Sequence, residues 1–239
     1  MAQPGGRRMS KVGLLIFALA VAALISKCQR QSGSRPGESV STPVANPIEE
    51  LLKPPASVAR QEGIAAAVLV DTSGSMNDAV QDAGGEMTPK IVIAKRAVND
   101  LLRQFADFAA KDPGRKLLVG VYEFSARDRQ DSCRRIVPVG ALDLAASQRA
   151  VDLLVPQGGT PIGDAMIAAK RDLDATGLSR RHILVVTDGE NNKGYSPGDV
   201  AGAIARQAAE DRASVYFIAF DVAADRFNAV KEAGGLVLA

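Results

Sequence analysis

The chain reads as an α/β domain, a mostly parallel sheet covered by helices on both faces. Three observations predict this. Apolar runs of strand length, such as Ile64–Val70 and Ile183–Thr187, alternate with stretches whose apolar residues recur at helical spacing. The runs are nearly continuous rather than alternating with polar residues, the pattern of strands buried on both faces. Two of them run into an aspartate, at Asp71 and Asp188, and ligand sites of such sheets lie at the carboxyl ends of strands.

With 239 residues, the chain divides into one domain of about 180 residues and an N-terminal extension. Aromatic residues make up only 4% and Trp is absent, which argues against sites that stack sugars or bases. The net charge of +2, without a basic stripe, argues against nucleic acid as a partner. Cys28 and Cys133 fit neither a disulfide framework nor a zinc site, and Cys133 is read as a free or occasionally paired thiol.

Residues 1–28 read as a signal or anchor segment. Arg7, Arg8 and Lys11 precede an apolar run of 14 residues, Val12 to Ile25, which has the length of a secretory core and is short for an unassisted span. No small-x-small cleavage site closes the run, and Lys11 and Lys27 can snorkel from a short helix, so an uncleaved anchor stays open beside a cleaved signal. Cys28 invites a lipoprotein reading, but Lys27 stands where that pattern wants a small residue. Arg7-Arg8 matches a twin-arginine signal poorly. Lys27, Arg30 and Arg35 balance the basic residues before the run, so loop charge leaves the orientation open. A short basic N-terminus ordinarily stays cytoplasmic, which places the domain on the extracytoplasmic side. Residues 29–60 read as a flexible Ser/Pro/Gly-rich linker with room for a short helix over Ile48–Arg60, and the domain occupies 61–239.

Within the domain the first strand, Ile64–Val70, delivers Asp71. Asn77–Pro89 reads as a loop with Gly84-Gly85, and Pro89 suits the first turn of a helix. Ile91, Ala94, Val98, Leu101, Leu102 and Phe105 share one face at a period near 3.6, predicting a helix over Ile91–Ala110 that Asp112-Pro113-Gly114 ends. Strands follow at Leu117–Phe124 and, at the sheet edge, Arg135–Val139. A helix over Ser147–Val155 leads into the loop Gly158-Gly159-Thr160, and another covers Ile162–Leu173. After the strand Ile183–Thr187 come a helix at Pro197–Glu210, a strand at Val215–Phe220, a helix at Arg226–Ala233 and a short strand at Leu236–Leu238.

Asp71, Ser73 and Ser75 stand at i, i+2 and i+4, so a loop leaving the strand can turn all three oxygens to one point. Carboxylate and hydroxyl without His or Cys is the ligand set of a hard cation. The same residues also make ordinary turns. Thr160, after its glycine pair, and Asp188, before Gly189, complete a pattern of D-x-S-x-S, loop Thr and strand-terminal Asp-Gly. It resembles the metal-ion-dependent adhesion site of von Willebrand factor A-type domains, over roughly Gly63 to Ala239.

That resemblance implies a Rossmann-like, doubly wound, six-stranded sheet of order 3-2-1-4-5-6 with strand 3 antiparallel, which puts the strands bearing Asp71 and Asp188 side by side. It implies that Asp71, Ser73, Ser75, Thr160 and Asp188 hold Mg²⁺, with Mn²⁺ or Ca²⁺ as alternatives, the aspartates often acting through water. The expected occupant of the open coordination position is an Asp or Glu carboxylate of a protein partner, which makes the domain a binding module and not an enzyme. Thr160 can also cap the helix that follows, and Asp164 is expected to complement that helix's dipole. Glu190, Asn191 and Asn192 read as a solvated turn. His182, the only histidine, enters its strand at the end away from Asp188 and leaves no Ser–His pair.

Two other readings stand beside this one. Mg²⁺-dependent aspartyl-phosphate hydrolases also use strand-ending aspartates. Their haloacid-dehalogenase form has a second Asp where this chain has Ser73, and the receiver form has an acidic cluster that is absent before Asp71. A scaffold that keeps the motif without using metal is the other alternative.

Overall fold

The structure, a computed structural model, describes residues 46–55, 58–82, 84–126 and 132–238. The segment read as a signal or anchor, with Val12 to Ile25 and Cys28, lies outside the described residues, among which no helix is long and apolar enough to cross a membrane. The strands are β1 (Gln61–Asp71), β2 (Ala79–Gln81), β3 (Met87–Pro89), β4 (Leu117–Phe124), β5 (Cys133–Gly140), β6 (Leu178–Thr187), β7 (Ala213–Ala219) and β8 (Leu236–Leu238). Among the described residues, six of them form one sheet in the order β5-β4-β1-β6-β7-β8, while β2 and β3 pair separately as a small hairpin. Counted along that sheet, the order is the expected 3-2-1-4-5-6, with β5 antiparallel to β4 and the other pairings parallel.

β1 lies at the centre and is buried from Gly63 to Asp71. Successive side chains of a strand face opposite sides of the sheet. Ala66, Val68 and Val70 therefore pack with α2 (Lys90–Lys111) and α3 (Leu144–Asp152). Ala65, Ala67 and Leu69 pack with α1 (Pro47–Leu51), α4 (Ile162–Ala175), α5 (Pro197–Arg206) and α6 (Asn228–Glu232). The α2 stripe from Ile91 to Phe105 is buried as its spacing predicts, each large apolar side chain there contributing about 1.5–3 kcal/mol.

The expected loop Asn77–Pro89 instead holds the β2–β3 hairpin, in which Ala79 pairs with Pro89, so that proline ends a strand and α2 begins at Lys90. α3 starts earlier and stops earlier than Ser147–Val155. The Asp143 side chain accepts the Ala146 N–H at 2.9 Å and caps the helix there, while Pro156 forces the preceding residue out of helical conformation. α5 ends at Arg206 rather than Glu210, because Gln207 turns extended and its Nε2 donates to the Leu52 carbonyl at 2.7 Å. A 3-10 turn, Ala224–Phe227, precedes α6 where one continuous helix was expected. β6 begins five residues before Ile183, since Arg181 and His182 are buried despite their polarity. The packed unit also starts before residue 61. Ile48 and Leu52, in the stretch read as linker, are buried against α5 and its neighbours.

Candidate metal centre

Parallel pairing of β1 with β6 puts Val70 opposite Val186, so Asp71 and Thr187 leave the sheet together. The Thr187 hydroxyl donates to Asp71 Oδ2 at 2.6 Å, and the Ser73 N–H donates to Asp71 Oδ1 at 2.8 Å. The second bond is an Asx turn that throws the chain out of β1 and into the 3-10 turn Gly74–Asn77. Asp71 is fully buried, and burial pushes its carboxyl up to about 6 against the pull of these bonds from Thr187 and Ser73.

From there one chain of oxygens crosses the strand ends. Ser73 Oγ and Ser75 Oγ stand 3.2 Å apart, and the Ser75 hydroxyl donates to Asp188 Oδ1 at 3.0 Å. Asp71, Ser73, Ser75 and Asp188 are thereby brought together. Thr160 reaches the same edge by its backbone, and its hydroxyl takes part in none of these bonds. Its loop is docked on the first one by Gly74 N–H to the Gly158 carbonyl at 2.9 Å and Gln157 N–H to the Thr72 carbonyl at 2.7 Å.

Asn191 and Asn192, expected to form a solvated turn, brace that loop instead. Asn192 Oδ1 accepts the Thr160 N–H at 2.8 Å, and Asn191 Oδ1 accepts the Ile162 N–H, also at 2.8 Å. Asp164, at the start of α4, accepts the Tyr195 N–H at 2.9 Å and the Ser132 hydroxyl at 3.1 Å. The segment after Asp188 is thus strapped over the α4 N-terminus. Gly163 permits this, because a Cβ there would collide with the Tyr195 carbonyl.

Lys90 is the residue that the sequence reading missed. Its ammonium is 3.0 Å from Asp188 Oδ2 and 2.6 Å from Asp221 Oδ2, and the residue is 6% exposed. Burial opposes its charge, but the two carboxylates hold its pKa above the ordinary lysine value. One signal was available, since a lysine as the first residue of a helix opposes the helix dipole unless something else holds it. Asp221 was also missed. It is the one described non-glycine residue with positive φ, at 57°.

Among the described residues no three His, Cys, Asp or Glu side chains gather as a metal cluster. The donors here are hydroxyls as much as carboxylates, which suits a hard, oxygen-preferring ion. Neighbouring ligands of an octahedral ion at about 2.1 Å stand about 3 Å apart, the spacing seen along Ser73, Ser75 and Asp188. On donor type and spacing these residues fit Mg²⁺.

A family model for the von Willebrand factor type A domain matches residues 66–190, more than half of the chain. The chain belongs to that family. No curated protein matches it. Among solved structures, this von Willebrand factor type A domain is similar to a von Willebrand factor type A protein from Catenulispora acidiphila, with 21% identity and a TM-score of 0.53 over 74% of this chain and 38% of that one. It is similar to the PilB minor pilin from Streptococcus sanguinis, with 16% identity and a TM-score of 0.54 over 76% of this chain and 57% of that one. It is also similar to the SpRpn10 VWA domain, with 12% identity and a TM-score of 0.53 over 74% and 88% of the two chains. At these identities the likeness is one of fold. The matched part spans less than two thirds of the Catenulispora acidiphila protein and of the pilin, 38% and 57% of their lengths.

Proposed function

We propose that this von Willebrand factor type A domain is a divalent-metal-dependent protein-binding module that recognises an Asp or Glu carboxylate of a protein partner. Asp71, Ser73, Ser75, Thr160 and Asp188 would hold the ion, Mg²⁺ first and Mn²⁺ or Ca²⁺ as alternatives. When bound, such an ion supplies an open coordination position that prefers an anionic oxygen. The observation that carries the reading is the Ser73–Ser75–Asp188 chain of oxygens at 3.2 and 3.0 Å on the edge of a fold built to present it.

The chain's own residues prepare the site. Thr187 and Ser73 aim the Asp71 carboxylate, Ser75 ties the first loop to the second, and Asn192 holds the backbone of Thr160. The Thr187–Asp71 and Ser75–Asp188 hydroxyl–carboxylate pairs are proposed to orient ligands, so the site binds and does not turn over. The likeness of fold to a minor pilin supports a protein-binding role for this domain. Residues 12–25 are proposed to direct this domain to the extracytoplasmic side and to retain it at the membrane.

One observation favours a second reading. Lys90 already neutralises Asp188 at 3.0 Å, as it would in a scaffold that dispenses with metal. Capture of partners by the full chain in Mg²⁺ and again in EDTA separates the two. The metal-bridge reading expects capture in Mg²⁺ that EDTA abolishes, and equal capture in both makes the domain a metal-independent scaffold.

A further inference from the structure

Lys90 carries two burdens that its place in the fold does not require. Its ammonium is withdrawn from water, and it starts a helix, where the dipole disfavours a cation. The backbone N–H of Lys90, which donates to the Asp78 carbonyl at 2.9 Å, would be supplied by any other residue but proline. What only a cation supplies is the pair of contacts to Asp188 Oδ2 and Asp221 Oδ2.

Those contacts fix the charge of the site. Asp188 and Asp221 share the one ammonium of Lys90, and Asp71 stands beside Asp188, so these four groups together carry an excess of two negative charges. That excess equals the charge of one divalent ion. With Lys90 present, a loaded site is neutral as a whole and positive where the ion faces solvent. With a neutral residue in its place, the loaded site carries a net negative charge and opposes any further anion. At these separations, in a partly buried site, Coulomb interactions are not screened away.

We propose that Lys90 is a specificity-determining residue, whose buried ammonium lets the loaded site accept an external carboxylate instead of repelling it. The inference rests on the metal-bridge reading above. It assigns Lys90 a task distinct from ligation: weakening the ion's hold by the protein alone so that a carboxylate from outside completes the site. Asp221 works against Lys90 from the loop after β7, so removing the two charges has opposite effects.

The test uses the full chain in detergent, freed of metal, with Mn²⁺ as the probe ion, read by the resonance of free Mn²⁺, and acetate as the probe carboxylate. In the wild type, acetate should raise the affinity for Mn²⁺. In Lys90→Met, Mn²⁺ alone should bind at least about ten-fold tighter and acetate should no longer help. Lys90→Arg, which keeps the charge, should stay near the wild type. Asp221→Asn should move the other way, with weaker binding of Mn²⁺ alone and a larger acetate effect. Asp221 is half exposed and its positive φ suits asparagine, so this variant reads the same charge even where Lys90→Met fails to fold. A purely structural role would not give opposite shifts. A wild type that binds Mn²⁺, with affinity and acetate effect within two-fold in both Lys90→Met and Asp221→Asn, overturns the inference and leaves the metal reading standing. A wild type that binds no Mn²⁺ overturns both.

Discussion

Asn192 grips Thr160 from two sides, accepting its N–H on Oδ1 at 2.8 Å and donating its own N–H to the Thr160 carbonyl at 3.1 Å. Two loops from different strands are thereby locked at one point, and the proposed ligands Thr160 and Asp188 keep a fixed relation.

Asn192→Ala leaves the Thr160 N–H without its acceptor, so stability should fall by about 1–3 kcal/mol. Metal affinity should fall as well, because Thr160 loses its brace. Asn192→Asp keeps the acceptor oxygen and should recover stability. Melting in EDTA, paired with metal titration, checks both effects. Loss of stability without loss of affinity would detach Thr160 from the site.

Asp71 is both a proposed ligand and a structural acceptor, since Ser73 N–H and Thr187 Oγ1 both point at its buried carboxylate. Asp71→Ala should therefore cost about 1–3 kcal/mol of stability in addition to metal binding. Asp71→Asn retains an acceptor for Ser73 while removing the charge, and should fold near wild-type stability yet bind metal poorly. Chemical denaturation of both variants beside a metal titration distinguishes the two roles of the side chain.

Far from the site, Lys170 and Arg181 share the one carboxylate of Asp174, at 2.5 and 3.2 Å, with all three side chains nearly or fully buried. Removing the shared anion strands two cations. Asp174→Ala should destabilise the fold by about 3–5 kcal/mol, whereas Lys170→Met, which leaves one matched pair, should be tolerated. Urea titrations of the two variants should rank them in that order, and the reverse ranking would refute the account.

His182 is 5% exposed, its ring 5.9 Å from that of Tyr216, and neither of its nitrogens has a hydrogen-bond partner among the described residues. Burial, with the nearby charge of Arg180 adding to it, lowers its pKa to about 4 from 6.5. Above pH 6.5 both folded and unfolded chains hold it neutral, so it has no effect on stability there. As the pH falls from 6.5 to 4 the unfolded chain takes the proton first, and stability should drop by up to about 3 kcal/mol. His182→Leu should remove that part of the pH dependence, measured as the difference from the wild type in urea titrations at pH 7.5 and 4.5. Parallel curves for the two proteins would refute it.

Much of the fold was legible because burial leaves a local trace. The period of α2 and the continuous apolar run of β1 each record one element's contact with the core, and they placed those elements to within a few residues. Element ends were less legible where a distant partner decides them. Arg181 and His182 read as the polar approach to a strand, yet they lie inside β6, because Asp174 receives the first and the second packs beside Tyr216.

The sequence by itself determined the β–α alternation, the two strand-ending aspartates and the oxygen-only character of the candidate site. Hydrophobic period and residue chemistry are carried by the chain wherever it folds. Only the tertiary structure decided that Asn191 and Asn192 brace the Thr160 loop instead of facing water, and that Lys90 stands against Asp188 and Asp221. Lys90 and Asp188 are 98 residues apart in the chain. Periodicity specifies which face of an element is buried, not which element lies against it, so a lysine at a helix start shows no sign of its partner until β1, β6 and β7 are laid side by side.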